Sequence, residues 1–414
     1  MRDDWYLTTI AKVCDKSSNI KWQNHLNEDF EYIDLSSVSR ENLNITETTT
    51  INSENAPSRA KKIVLKNDVI FATTRPTLRR ATIINQNYDN QICSTGYAVL
   101  RPIKAIVDGG YIYYFLLSEE FMQRMESLQR GASYPAVSEK DVLQTKLYLP
   151  KSLSEQKQIV AILDQAFTAI DQAKANIEKN IVNAKELFQS KLNDIFSQKG
   201  DGWEEKSLGE VCYVLNGYAF KSKDVIEESN TQLLRMGNLY KNILNLDRKP
   251  VFYPDSFNKN HKDYLLKEGD LIMSLTGTVD KTDYGYTVKI PKIDVDLLLN
   301  QRIMKIEVHD SNILNKDYLK NYLLSPDFLS RLYDTASGTR QANLSSRTIL
   351  TLKVNYPQQI DKQLQVVNQF NQLRKHIFKL ENQYSKKLKN LEDLKKAILQ
   401  KAFAGELTEK EVVA

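Results

Sequence analysis

Apolar positions along this chain follow two different periods, and the switch between them happens twice. Short runs such as Ile63-Val64-Leu65, Asp68 to Phe71, Tyr97 to Leu100 and Leu271-Ile272-Met273 are separated by Gly, Asn, Asp and Thr, the pattern of strands joined by turns. Tyr111 to Leu128 and Tyr318 to Leu332 are instead amphipathic and helical, with Pro326 marking a break in the second. Gly and Pro then vanish from Lys151 to Lys199 and from Gln358 to Ala404, which predicts two long helices. In the second, Phe370, Leu373, Ile377, Leu380, Tyr384, Lys387, Leu391, Leu394 and Ile398 recur in steps of three and four, a coiled-coil seam with one polar interruption. The matching seam of the first helix is Leu163, Ala166, Ile170, Ala173, Ile177, Asn180, Ala184 and Leu187, so its small residues can face the bulky ones of the other. At about 1.5 Å per residue either helix spans on the order of 65 Å, more than a domain of this size needs.

The repetition of the pattern is a duplication of sequence. YIYYFLLS from Tyr111 to Ser118 returns as YLKNYLLS from Tyr318 to Ser325, and the same displacement pairs Gly131 with Gly338, Pro150 with Pro357, Gln156 with Gln363, and Phe196 with Phe403. Earlier anchors need slightly smaller displacements: Trp5 through Cys14 parallels Trp203 through Cys212, and Asp68-Val69-Ile70 parallels Asp270-Leu271-Ile272. The matched positions are mostly apolar, Gly or Pro, whereas stretches between them differ almost completely. The expected fold class is α+β: two mixed α/β domains in a tandem pseudo-repeat, separated by two long helices that pair as an antiparallel coiled coil. The expected boundaries are 1–150 and 200–357 for the domains, 151–199 for the central helix, 358–405 for the C-terminal helix and 406–414 for a tail.

Composition narrows the chemistry. Over 414 residues, 57 Lys and Arg oppose 52 Asp and Glu, so any anionic partner must be met by local patches and not by bulk charge. No apolar run reaches membrane-spanning length and the first ten residues carry two Asp, which predicts a soluble cytoplasmic protein. Cys14, Cys93 and Cys212 are too scattered for a disulfide framework or a metal knuckle and are expected as reduced, buried thiols. The four histidines have no ligand spacing, and phosphate-binding glycine loops and nucleophile elbows are absent. Glu204-Glu205-Lys206 offers the acid-x-Lys end of a nuclease motif, but its counterpart Tyr6-Leu7-Thr8 has no acid. No metal or catalytic group is expected, and a binding protein fits better.

Candidate contact loops lie where the copies diverge. Thr73-Thr74-Arg75-Pro76-Thr77-Leu78-Arg79-Arg80 gathers three guanidinium groups beside hydroxyls, suited to phosphates and guanine edges. Its partner from Ser274 to Lys281 is less basic and offers Thr276, Thr278 and Lys281. A second pair of loops joins the helical segment to the last strand. It carries Ser133 and Tyr134 in one copy and Thr339, Arg340, Gln341 and Asn343 in the other, with Arg, Gln and Asn matching purine edges. Lys221, in Asn216 to Ser222, is a further candidate. Solvated turns, or loops packed on their own domain, are the alternative reading of each.

The order of these elements resembles the DNA specificity subunit of type I restriction-modification enzymes. The resemblance rests on Trp203, Leu208, Gly209, Glu210 and Val211, on LKEGDLIM from Leu266 to Met273, on Asn300-Gln301-Arg302, on Gly338 to Ser345, on Pro357 to Val367 with its Gln363, and on the tail from Leu394 to Phe403. The first copy departs from it, with Ala11-Lys12 for Gly209-Glu210 and Thr95-Gly96-Tyr97 where Asn300-Gln301-Arg302 sits. It implies two target-recognition domains, each reading one half of a split, asymmetric site in double-stranded DNA, with the helices fixing their separation. It further implies two methyltransferase subunits and restriction subunits as partners, which would carry S-adenosylmethionine and ATP and leave this chain non-catalytic and without a cofactor. The competing expectation is a coiled-coil adaptor joining two protein-binding domains.

Overall fold

The computed structural model describes residues 2–25, 27–197, 200–279, 281–338 and 341–408. They form two compact units, Met1–Glu178 with Tyr384–Ala414, and Lys179–Gln383. Each unit therefore holds one globular part and a portion of both long helices.

In unit 1 the strands Cys14–Asp15, Tyr97–Pro102, Val69–Ala72 and Ala81–Ile83 pair in that order, antiparallel throughout. A second sheet orders Thr49–Asn52, Asp29–Ile33, Gln91–Ser94 and Ala60–Val64, with its central pair parallel. Val69–Ala72 is buried on both faces, because alternate side chains enter different cores. Val69 and Phe71 join Tyr111, Phe115 and Phe121 from the helices, whereas Ile70 and Ala72 join Ile33, Val64 and Val99. Each large side chain so buried contributes about 1.5–3 kcal/mol.

Unit 2 repeats the plan. Cys212–Asn216, Ile303–Val308, Leu271–Ser274 and Thr287–Lys289 make one sheet. Phe252–Tyr253, Thr231–Leu234, Asp296–Leu299 and Leu265–Leu266 make the other, again with a parallel pair at its centre. A two-stranded ribbon closes each unit at the foot of a long helix: Trp5–Thr9 with Lys146–Pro150, and Trp203–Ser207 with Lys353–Pro357.

The segment Tyr111 to Leu128 is two helices, Gly109–Leu117 and Glu119–Leu128, in place of the expected one. Ser118 leaves the helical region with ψ 151° and its Oγ accepts from the Phe121 amide at 3.2 Å. Ser325 serves Phe328 in the same way at 3.3 Å, with Pro326 as the first residue of the new helix. The break belongs to the serine. The proline only advertises it in one copy.

The central helix, Leu153–Phe196, and the C-terminal helix, Ile360–Ala404, pair antiparallel within each unit. Lys174 meets Glu392 and Lys395 meets Asp171 at 2.7 Å in unit 1, and Lys185 meets Glu381 at 3.3 Å in unit 2. The seam differs from its expected course beyond Ile177 and Ile377. Leu187, Leu380 and Leu394 are 55%, 37% and 46% exposed, while Ile181, Phe188, Glu381 and Leu388 are half-buried instead. An α-helix gains on a strict 3.5-residue repeat, and a step of four at these points restores the contact.

Gln156 and Gln363, both fully buried, tie helix to domain identically. Nε2 of Gln156 donates to the carbonyls of Ile106 (3.1 Å) and Pro150 (2.9 Å), and its Oε1 accepts from the Asp108 amide (2.8 Å). Gln363 makes the same three bonds with Ile313, Pro357 and Asn315, at 2.8, 2.7 and 2.8 Å. The three cysteines are free and buried, and burial pushes each thiol up to about 12. Among the described residues no helix is long and apolar enough to cross a membrane.

Candidate nucleic-acid interface

In each unit the two candidate loops, far apart in sequence, are stitched to each other. In unit 1 Thr74 bridges Ala136 and Arg130 bridges Ala136, the Arg75 amide donates to Pro135 O at 2.7 Å, and the Val137 amide donates to Thr73 O at 2.9 Å. In unit 2 the stitch is a ribbon, Thr276–Thr278 with Gln341–Asn343, in which Thr276 faces Asn343, and Ser337 bridges Asn343. These are the same positions under the duplication. Gly131 and Gly338 both take positive φ, 94° and 118°, and at Gly338 a Cβ would stand 2.1 Å from the Gln341 carbonyl. Only glycine makes that turn.

What the stitch presents differs between the units. Arg75 is exposed and held at φ 51°, a left-handed conformation that costs a non-glycine residue about 1–3 kcal/mol and tends to mark functional loops. Its guanidinium lies 5.1 Å from the ring centroid of Tyr134, itself 72% exposed. Thr74 is half-buried and Ser133 exposed beside this pair. Three other members of the loop are bonded within the unit. Thr73 Oγ1 donates to Gly96 O at 2.8 Å, Arg79 pairs with Glu119 at 2.7 Å and also reaches Leu117 O, and Arg80 donates to Leu35 O. Of the three guanidinium groups expected to serve DNA contact, Arg79 and Arg80 are thus engaged in bonds within the unit, and Arg75 is the exposed one.

In unit 2 the ribbon exposes Thr278, Gln341 and Asn343 and buries Thr276, whose Oγ1 donates to Met236 Sδ at 3.0 Å. The Thr278 hydroxyl and amide both donate to Asp283, at 2.9 and 2.6 Å, and Asn343 Nδ2 donates to Gln341 O at 2.9 Å. Lys281 is exposed next to this ribbon in sequence. Thr339 and Arg340 lie outside the described residues. Lys221 is exposed and its carbonyl accepts from the Tyr253 hydroxyl at 3.2 Å.

Sequence reasoning passed over two features of unit 2. Tyr240, 48% exposed, is flanked by Arg248 and Lys241 at 5.1 and 5.4 Å, an aromatic–cation group like Arg75–Tyr134. Beside Met236 opens a cleft of 430 Å³ lined in part by Arg235, Gln301 and Arg302. Burial first, and then the charge of Asp224, raise the Tyr253 phenol in its wall above the ordinary range, with Arg235 opposing. Both features fall where the copies share no sequence, which was the available signal.

The rejected motifs have structural uses. Glu204 accepts from the Tyr356 hydroxyl at 2.8 Å and pairs with Lys206 at 2.8 Å, and these bonds hold its carboxyl below the usual range. Glu210 caps the short helix Leu208–Val211 through Ser207, a box that Thr9 and Lys12 do not form in unit 1. Among the described residues no three His, Cys, Asp or Glu side chains are grouped to hold a metal ion.

Comparison with known proteins is consistent across sequence and structure. The family model described as the type I restriction modification DNA specificity domain matches twice, over residues 2–182 and 200–390. The MjaVIII type I restriction enzyme specificity subunit of Methanocaldococcus jannaschii is 27% identical over 283 residues, 64% of this chain and 64% of that protein. The StySPI specificity subunit of Salmonella potsdam is 25% identical over 334 residues, 76% of this chain and 69% of its own length. The match thus spans just under two thirds of the archaeal relative. A chain from a structure concerning assembly and conformational transition of the type I R-M system superposes with TM-score 0.83 at 23% identity, covering 98% of this chain and 99% of its own. The HsdS subunit from Thermoanaerobacter tengcongensis does so with TM-score 0.65 at 24% identity, covering 98% of both chains. These two establish likeness of fold.

Proposed function

This chain belongs to the type I restriction-modification DNA specificity family, a specificity component and not a catalyst, and from that premise we propose that each unit reads one half of a bipartite, asymmetric site in double-stranded DNA. The observation that carries the reading is the stitch: equivalent bonds join two loops in both units, and the side chains offered on the joined loops are unrelated. A constant mounting with interchangeable tips is what reading two different half-sites demands.

In unit 1 the contacts are Thr74, Arg75, Ser133 and Tyr134, with Thr73, Arg79 and Arg80 as positioning residues. Arg75 supplies a fork for a guanine edge or a phosphate, and Tyr134 supports it. In unit 2 the contacts are Lys221, Thr278, Lys281, Gln341 and Asn343, joined by Thr339 and Arg340, while buried Thr276 positions them. The amide side chains of Gln341 and Asn343 favour adenine. The helix pair sets the number of base pairs between half-sites and receives two methyltransferase subunits. The apolar side chains it leaves exposed, among them Val182, Leu187, Leu364, Phe378 and Leu380 in unit 2 and Leu394 in unit 1, support docking there. Restriction subunits join that assembly, and S-adenosylmethionine and ATP belong to these partners.

The test is a map of methylated sites in DNA from cells expressing the chain with its methyltransferase partner. Arg75→Ala combined with Tyr134→Ala is expected to relax or change the first half-site and leave the second intact. An unaltered methylation pattern would remove unit 1's loops from the interface.

A further inference from the structure

We propose that Arg235, Gln301 and Arg302 of unit 2 clamp the phosphodiester backbone of the DNA, a contact for which unit 1 has no counterpart. The inference rests on the DNA-reading function above and adds a site to it.

The cleft of 430 Å³ places two arginines and a glutamine among Ser222, Asn300 and apolar residues, and no carboxylate lines it. Arg235, Gln301 and Arg302 are all exposed, and among the described residues neither guanidinium donates a hydrogen bond or enters an ion pair. Their backbones, by contrast, are fixed. The Gln301 amide donates to Tyr218 O at 3.0 Å, the Arg302 carbonyl accepts from Leu275 at 2.8 Å, and the Arg302 amide donates to Asn300 Oδ1 at 3.1 Å. The Arg235 amide is held by Asn238 Oδ1 at 2.8 Å. Two guanidinium groups on fixed backbones, sharing a cleft whose lining holds no carboxylate, call for an anion. A guanine edge has acceptors for one guanidinium fork, whereas a phosphodiester accepts bidentate bonds from guanidinium and carries the negative charge that two neighbouring cations face. Met236 lines this cleft and also receives the bond from Thr276 on the reading ribbon, so the clamp adjoins the interface already described.

Strand register identifies what unit 1 has instead. Tyr97 pairs with Ala72 as Ile303 pairs with Ser274, and Ile33 pairs with Cys93 as Leu234 pairs with Leu299. Gly96 therefore stands for Arg302, Thr95 for Gln301, and Asp34 for Arg235, one residue away from the correspondence read in the sequence. At Gly96 a side chain would meet Leu35 at 2.9 Å, and the Tyr97 hydroxyl donates to Asp34 O at 3.0 Å. Leu35 fills the place of the Arg302 side chain, and the acid Asp34 stands where unit 2 has Arg235.

The experiment measures DNA affinity against salt for the chain assembled with its methyltransferase subunits, on duplexes in which either half-site is varied. Arg235→Ala and Arg302→Ala are each expected to weaken binding by roughly tenfold, equally on every sequence, and to lower the slope of log affinity against log salt by about one. Arg302→Lys retains the slope, which separates loss of charge from loss of fold. A changed base preference at one position with the slope intact would reassign the cleft to base reading, and unaltered affinity and slope would abolish it. Failure of the unmutated assembly to prefer any bipartite site would instead count against the DNA-reading function itself.

Discussion

The two units agree bond for bond where the long helices meet their domains and disagree on the loops they expose. Gln156 and Gln363 bond to equivalent carbonyls and amides, and the Tyr111 and Tyr318 hydroxyls donate to Tyr148 O and Asn355 O at 2.8 and 2.9 Å. Arg75 with Tyr134, in contrast, has nothing like it on the Thr276–Thr278 ribbon. A buried donor or acceptor left without a partner costs about 1–3 kcal/mol, which holds these bonds alike in both copies while the exposed loops drift apart.

The most forceful way to break this equivalence is at the glutamines. Gln156→Leu and Gln363→Leu each strand two carbonyls and one amide, an expected loss of roughly 3–6 kcal/mol confined to the unit that carries the change. Hydrogen exchange resolved by unit would check it. Equal losses support one scaffold built twice, and tolerance of either change would show that the shared bonds are not what conserves the fold.

A smaller and unequal effect is expected at the ends of the long helices. Phe196 is buried against Tyr318, Tyr322 and Phe370, with ring centroids 5.4, 5.2 and 5.4 Å away. Its counterpart Phe403 touches Tyr111 and Phe115 at 5.2 and 5.5 Å but is only partly buried. Phe196→Ala should cost about 3–5 kcal/mol in unit 2, and Phe403→Ala less in unit 1, read as the difference in exchange protection of the two helix ends. Equal costs would mean that exposure at Phe403 carries no energetic weight.

Much of this was legible in the chain. The duplication gave the two units, the loss of Gly and Pro gave both long helices, and divergence between copies pointed to the loops that the structure joins. Three features were hidden for physical reasons. The helix break at Ser118 is a side-chain cap without a proline beside it. The displacement of the seam from Leu187 to Phe188 accumulates from the mismatch between 3.6 and 3.5 residues per turn. The inward turn of Arg79 and Arg80 depends on Glu119 and Leu35, partners that only the tertiary fold brings near. A cluster of arginines in sequence fixes how many cations are present and leaves open which of them are spent on the fold.

The smallest expected effect probes a junction that the two units make differently. In unit 2 six residues separate the central helix from strand Trp203–Ser207. In unit 1 the corresponding place is closed by side-chain bonds between the first and last described segments. Arg2 donates to both the carbonyl and the hydroxyl of Thr408 at 2.9 Å and pairs with Glu155 at 2.9 Å, while Gly405 lies against Arg2 and Trp5. Such partly exposed bonds contribute modestly, so Arg2→Ala should cost about 1 kcal/mol. The loss should appear as faster amide exchange in the last turn of the C-terminal helix and in strand Trp5–Thr9, with unit 2 unaffected. Because the bonds to Asp4 and Glu155 are ionic, added salt should narrow the difference between wild type and variant. A salt-independent loss would place the contribution in the bonds to Thr408 instead, and no loss at all would mean that apolar packing around Trp5 and Phe403 alone closes unit 1.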